Sequence, residues 1–541
     1  MNERSINALT DVPFIPTTEG LKTVRTTLLE MHKPGFQISK NLAGYEYSTT
    51  HRFLASTVAV VIQELNIATS PRKIKKLLEK GLPEDAVDAA LERLAQGSDV
   101  FDPFFPFMQQ PALNIKDPKN KSTYVGPGIQ PVKKLSPSMP PDEAEDFWHL
   151  LAAGNTELDL TAALQQLVGY QYLSLAGNNS YDGRKCQNGA PSMRFVGENR
   201  TATEIIWEST SLLASILLMI PLSWAVGQGL PAWADRKCEH SRGENGPHPL
   251  WRSTWSSNAP AVAWKDDVMV GVRTGGIPEN WYLPEMGETK ESRKKWWDTR
   301  NESDPYYLYR SRAQKDGTQE LVLQRLDLGT DATALAVEWA AKNKTKALLA
   351  WQTPRLGEHT LDDRLLFVRH RVEGTASSAN IRASEIFEPS REKWSYDLEE
   401  DVLNQISLRA ELIQKIHNIV ISPFRTRDNS ASGGRAPLVI DFLKTIRPDA
   451  STAFWRHINA VFTEMLREVR SDFANGKQLT SISPELRENL IRAADGALEE
   501  VVEPYYYKDP ALISYVQNGI RTWVRQIINK AFPKPNTEKE K

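Results

Sequence analysis

The sequence predicts an α+β protein, a large mixed N-terminal globular domain followed by a C-terminal four-helix bundle. Three observations lead there. At 541 residues the chain is long for one hydrophobic core, and two domains suit it. Up to about residue 394, stretches of helical apolar spacing alternate with short β-branched and aromatic runs bounded by turn residues. From 397 onward the helical period stands alone, with mostly short connections, which is the sequence form of a helical bundle. The mixed domain is therefore assigned to 1–394 and the bundle to 395–541.

Residues 13–29 predict an extended segment with a turn at Glu19-Gly20, then Val24 and the pair Leu28-Leu29. A helix is expected over 51–67, where Phe53, Leu54, Val58, Val61, Ile62 and Leu65 hold an apolar face, and another starts at Pro83-Glu84-Asp85 and runs to Leu94. Prolines and aromatics dominate 102–141, around Pro103-Phe104-Phe105-Pro106-Phe107-Met108, and predict irregular chain. The apolar stretch 203–219 predicts one long buried helix, and 224–264 predicts irregular chain packed by its tryptophans. Strands are expected at 268–272, 306–309, 321–323 and 365–368, with Lys315-Asp316-Gly317 turning a hairpin between the second and third.

In the C-terminal part, 397–420 carries Leu398, Val402, Leu403, Ile406, Leu412, Ile413, Ile416 and Val420 at helical spacing. A Gly/Ser/Arg connection over 423–437 follows, then the apolar face of 451–471. Ser483-Pro484 and Asp509-Pro510 are cap-plus-proline starts of two further helices, and the polar tail 533–541 is expected to fray.

With 66 basic and 68 acidic residues, the formal charge is −2, so any polyanion site must be local. The cluster Arg72-Lys73-Ile74-Lys75-Lys76 is read as a solvated face. Two cysteines, Cys186 and Cys238, exclude a disulfide framework and a four-cysteine zinc site within the chain. The first five residues lack the charged-then-apolar layout of a signal peptide, and the longest apolar run, 212–222, is short of the roughly 20 residues that span a bilayer. A cytoplasmic protein without a membrane partner is expected.

No enzyme class is supported by motif. The glycine spacing of 177–185 is wrong for a Walker phosphate loop, and neither His-Glu-x-x-His nor Gly-x-Ser-x-Gly occurs. Cys238-Glu239-His240 with His248 offers three metal-type ligands but no clear fourth, so neither a metal nor another cofactor is expected. His149, His370, His417 and His457 are isolated and read as structural or surface histidines, and Asp266-Asp267 and Asp362-Asp363 read as turn formers.

Binding chemistry remains. In Gly177-Asn178-Asn179-Ser180-Tyr181-Asp182-Gly183-Arg184-Lys185, glycines and asparagines let the backbone come close to a ligand, and Arg184, Lys185 and the later Arg194 are cations of the kind that meet phosphate. A thin polar loop of this kind can enter a nucleic-acid groove while neighbouring cations hold phosphates. Arg293-Lys294-Lys295-Trp296-Trp297 sets cations beside two aromatic faces, for phosphate contact or stacking. The plain alternatives are a solvated surface loop and two tryptophans packed in a core.

Taken in order, four features resemble the CasA family, the large subunit of the type I-E CRISPR surveillance complex Cascade. They are Pro13-Phe14-Ile15-Pro16; Pro106-Phe107-Met108-Gln109 ahead of a Lys-rich loop; the Gly/Asn loop followed by Ala190-Pro191 and Arg194-Phe195-Val196; and the C-terminal helical bundle. The likeness spans nearly the whole chain. It implies a non-catalytic subunit that works with other Cascade subunits and a CRISPR RNA and recognises the protospacer-adjacent motif in double-stranded target DNA. It further implies help in opening that duplex into an R-loop with a displaced strand, and recruitment of a helicase-nuclease. Placed by position, the family's glycine loop falls on Asn178, Asn179, Ser180, Tyr181 and Gly183 with Arg184 and Lys185 beside it, its minor-groove lysine on Lys295 or Lys294, and its wedge near Gly374, Thr375 and Ala376. The chain departs from the family in having Asn178-Asn179-Ser180-Tyr181-Asp182 where relatives can have glycines, in lacking the wedge glutamine, and in lacking the cysteine cluster of some relatives. Zinc is therefore not implied.

Two other classes stay open at this point: a scaffold subunit without direct DNA contact, and a phosphate-ligand-binding enzyme that uses the loop from Gly177 to Lys185.

Overall fold

The computed structural model describes residues 4–111, 114–116, 123–125, 130–138, 157–174, 180–181, 184–185, 201–287, 304–313, 319–323, 331–342, 355–358, 363–373, 380–388, 399–426, 438–477 and 479–533, with positions 289, 291–292, 295–296, 325 and 393. The chain divides into two compact units, one of residues 1–328 and 351–388, the other of 329–350 and 389–541.

The first unit opens with the expected turn: Ile15–Thr17 pairs with Gly20–Lys22, and Gly20 takes φ +97°, which favours glycine there. The helix Val24–Glu30 follows, capped by the Thr23 hydroxyl on the Thr26 amide. At the centre is the helix Gly44–Leu65, longer at its start than the predicted 51–67. It is buried on every face, so its polar residues must be satisfied internally: Ser56 and Thr57 turn their hydroxyls back onto the Phe53 carbonyl at 2.7 and 3.0 Å.

Phe53 of that helix packs against Phe14 and Phe107, with ring centroids 5.9 and 6.2 Å away, and against Trp233 at 5.5 Å. The Pro-Phe-Ile-Pro and Pro-Phe-Met-Gln motifs thus meet in one aromatic core. Gln109 serves the same packing, donating to the Val100 carbonyl and accepting from the Trp264 indole. The region 224–264 packs by its tryptophans as expected, with Trp251 and Trp255 joined by Trp281 in one buried cluster, but it is not all irregular: Pro249–Thr254 is a short helix, and the strand Ala261–Lys265 begins within it.

The long helix expected over 203–219 is not what forms. Glu204–Glu208 is a strand, buried throughout, and the helix is confined to Leu212–Met219, where the Ser211 hydroxyl caps the Ala214 amide. This strand forms one edge of a three-stranded sheet whose middle strand is Arg364–Glu373 and whose far strand is Asn380–Phe387. The expected strands at 268–272 and 321–323 fall within Val268–Arg273 and Gln319–Leu323, and the latter pairs with Tyr309–Ala313. Tyr306 to Leu308 stay outside that hairpin and bridge to residues 203–205 instead.

The second unit is helical. Glu400–Ile421, Arg447–Ala474, Pro484–Val502 and Pro510–Ala531 form where helical spacing predicted, and Ala332–Lys342, where the sequence predicts no element, packs on the first of them. Ser483 and Asp509 cap their helices through the Leu486 and Leu512 amides at 3.2 and 3.0 Å. Arg409 is wholly buried and spans from helix to loop, its guanidinium donating to the Leu479 and Ser481 carbonyls at 3.0 and 2.9 Å.

Candidate nucleic-acid interface

The Gly/Asn loop contains a small hairpin. Ser180–Tyr181 and Arg184–Lys185 pair antiparallel, with Ser180 opposite Lys185 and Tyr181 opposite Arg184. Between them the sequence is Asp182-Gly183, a dipeptide favoured in two-residue hairpin connections. Asn178, Asn179, Gly183, Lys294, Gly374, Thr375 and Ala376 lie outside the described residues.

Lys295 is exposed, and its neighbour Trp296 is half-buried against Trp255, ring centroids 5.2 Å apart. The Arg252 guanidinium lies 6.0 Å from the Trp296 ring. Trp296 is therefore occupied with protein packing, the plainer of the two readings of this cluster, and Lys295 adjoins it in the same helical turn.

The segment assigned to the wedge joins two strands whose register is fixed up to the last pair, Glu373 opposite Asn380. Below it, Phe367 stacks on Phe387 at 6.2 Å, Arg369 lies over the Phe387 ring at 4.6 Å and pairs with Glu385, and Val372 and Ile381 bury against Tyr45 and Leu173. The hairpin has a packed base.

One constellation was not predicted. Arg52, from the middle of the central helix, donates from Nε and Nη2 to Glu204 at 2.9 and 2.5 Å and from Nη1 to both Asp304 oxygens at 3.1 Å. The other Glu204 oxygen receives the Ser48 hydroxyl at 2.8 Å and lies 3.4 Å from His370 Nε2, whose Nδ1 is 2.9 Å from the Ser384 hydroxyl. Burial works against the charge on Glu204, but the Arg52 guanidinium and the His370 ring hold its carboxyl below the usual carboxylate range. Likewise, burial opposes the Arg52 charge, and Asp304 and Glu204 more than compensate. The sequence signal was a cation inside an apolar helical run; its partners lie 152 and 252 residues away, beyond any local pattern.

Of the imagined metal ligands, Cys238 is buried and His248 is engaged otherwise through both ring nitrogens. Burial pushes the Cys238 thiol up to about 12. Asp235 accepts from the Glu239 and His240 amides at 2.8 and 3.0 Å, and His248 contacts the Val226 carbonyl at 2.8 Å and the Leu250 amide at 3.2 Å. Among the described residues no three of His, Cys, Asp and Glu are grouped to hold an ion. Likewise, no helix among them is long and apolar enough to cross a membrane.

The sequence model of the CRISPR-associated protein Cse1 matches residues 46–497. Among solved structures, a chain of a CRISPR RNA-guided surveillance complex is similar at 16% identity and a TM-score of 0.62, over 96% of this chain and 99% of that one. Thermobifida fusca Cse1 is similar at 14% and 0.60, over 98% of each chain. Thermus thermophilus CasA is similar at 15% and 0.55, over 97% of this chain and 100% of that one. At such identities the structures establish a shared fold. No curated protein matches the chain.

Proposed function

The chain belongs to the CRISPR-associated Cse1 family, that of the type I-E Cascade large subunit, and from this premise we propose that it reads the protospacer-adjacent motif in duplex DNA. In this reading the chain acts within Cascade, beside the other protein subunits and the CRISPR RNA. It helps separate the first base pairs into an R-loop and licenses the helicase-nuclease, and it makes and breaks no covalent bond itself. The protein reads the motif, and pairing with the guide reads the rest.

The observation that carries the proposal is the Ser180–Lys185 hairpin, which sets Arg184 and Lys185 at the end of a Gly/Asn segment in the unit that also holds Lys295 and the 364–387 hairpin. Phosphate contacts from Arg184, Lys185 and Lys295 fix register on the duplex, and the thin polar backbone approaches the base edges. With a formal charge of −2, the isolated chain has little general attraction for DNA, so affinity comes from the assembly. DNA reading is assigned to 1–394, and docking to helical subunits and the displaced strand to 395–541, where Tyr507 and Trp523 are exposed on the helical unit.

Arg184→Ala and Lys295→Ala, each in the full complex, test this. Each is expected to weaken target binding and to lower the slope of log affinity against log salt by about one, the loss of one phosphate contact. Unchanged affinity and slope in both would sink direct DNA reading and leave a scaffold.

A further inference from the structure

The three candidate DNA-contacting segments share their roots. Strand Glu204–Glu208, on which the chain returns from the Gly/Asn loop, pairs along one side with Arg364–Glu373, Glu204 opposite Val368. On its other side it meets the chain that follows the Lys295 segment: the Ile205 amide donates to the Tyr306 carbonyl at 2.8 Å and the Leu308 amide to Thr203 at 3.0 Å. Because Arg364–Glu373 runs antiparallel to Glu204–Glu208, its residues from 369 to 373 extend past the end where the loop joins. The 373 end of that strand and the 204 end of Glu204–Glu208 therefore lie at the same end of the sheet.

Beneath this junction lies the buried cluster of Arg52, Glu204, Asp304 and His370, none more than 7% exposed. Each member besides Arg52 belongs to the root of a different segment: Glu204 ends the loop's return, Asp304 follows the Lys295 segment, and His370 ties the hairpin strand to Glu204. Apolar side chains of similar volume fill a core as stably as a buried ion cluster, often more so. What the planar guanidinium adds is direction, because its fork fixes two carboxylates at set angles. We infer that Arg52 is a positioning residue for motif reading, holding the roots of all three segments in one geometry without touching DNA. The inference rests on the function proposed above.

The test uses the full chain, alone and in its complex, with Glu204→Gln and Asp304→Asn, which keep the side chain's shape while removing one charge and one acceptor oxygen each. Val87→Ala, a core truncation on the separate helix Glu84–Arg93, controls for general destabilisation. Amide hydrogen exchange across 201–208 and 364–387 is expected to quicken at least about tenfold in both cluster variants and not in Val87→Ala. In the complex, the same two variants are expected to lose discrimination between flanking sequences by a similar factor while assembling normally. Exchange at the roots that neither variant alters, or that Val87→Ala quickens equally, overturns the clamp. Quickened exchange with discrimination intact leaves the clamp standing and overturns its part in reading. A wild-type complex that never discriminates flanking sequences removes the function and this inference together. If one variant does not fold, the other carries the test.

Discussion

His51 sits wholly inside the first unit, its Nδ1 2.9 Å from the Tyr306 hydroxyl and its ring beside the Arg52 charge. Burial, and then that charge, pull its pKa down to about 3. In the unfolded chain a histidine keeps its ordinary value of about 6.5. Between these values the unfolded state binds a proton that the folded state refuses, so stability is full above the upper one and is lost as the pH falls. The slope for one such group is about 1.4 kcal/mol per pH unit. Glu204, held below the carboxylate range, acts in the same direction at lower pH. The expected outcome is a denaturation midpoint of the first unit that drops steadily below pH 6, with a shallower drop in His51→Asn. Equal slopes in the two proteins would show that His51 does not carry the effect. At this scale the sequence was partly legible: His370 and His417, read as structural or surface histidines, are structural, bonded to Ser384 and Ser451 at 2.9 and 2.8 Å. Arg52 was not legible, because nothing near residue 52 announces a carboxylate at 204 or 304.

Elements were legible where a local signal marked their ends. Ser483-Pro484 and Asp509-Pro510 start helices because the side-chain oxygen takes an amide that the first turn leaves unpaired, and proline has no amide to lose. Asp509→Ala should accordingly cost the helical unit about 1 kcal/mol, read as a lower urea midpoint with unchanged cooperativity. A midpoint that does not move would mean the Leu512 amide finds another partner. Glu204–Glu208 shows the opposite case. Buried on both faces, it lacks the alternation that marks a half-buried strand, and its apolar residues run into those of Leu212–Met219. The signal that could have divided them is Glu208-Ser209-Thr210-Ser211, a polar cluster that holds the helix cap. This misreading bears on the site, since the strand taken for helix is the one that roots the loop.

For the whole molecule, fold class followed from the change of period near residue 395, whereas the membership of Ala332–Lys342 in the helical unit is set by long-range packing. Family membership was legible from an order of short motifs, two of which, around Phe14 and Phe107, turn out to be parts of one aromatic core. A packing requirement accounts for these two of the four features through which the resemblance is seen. Function must therefore be tested on the reading segments themselves, in the assembly that supplies affinity. The most direct measurement is target-duplex binding by the complex from its native host, with and without this chain, across a library randomised beside the guide-matched segment. Binding that falls without the chain and returns with it only for a few flanking sequences is the predicted result; binding indifferent to both the chain and the flank would contradict motif reading.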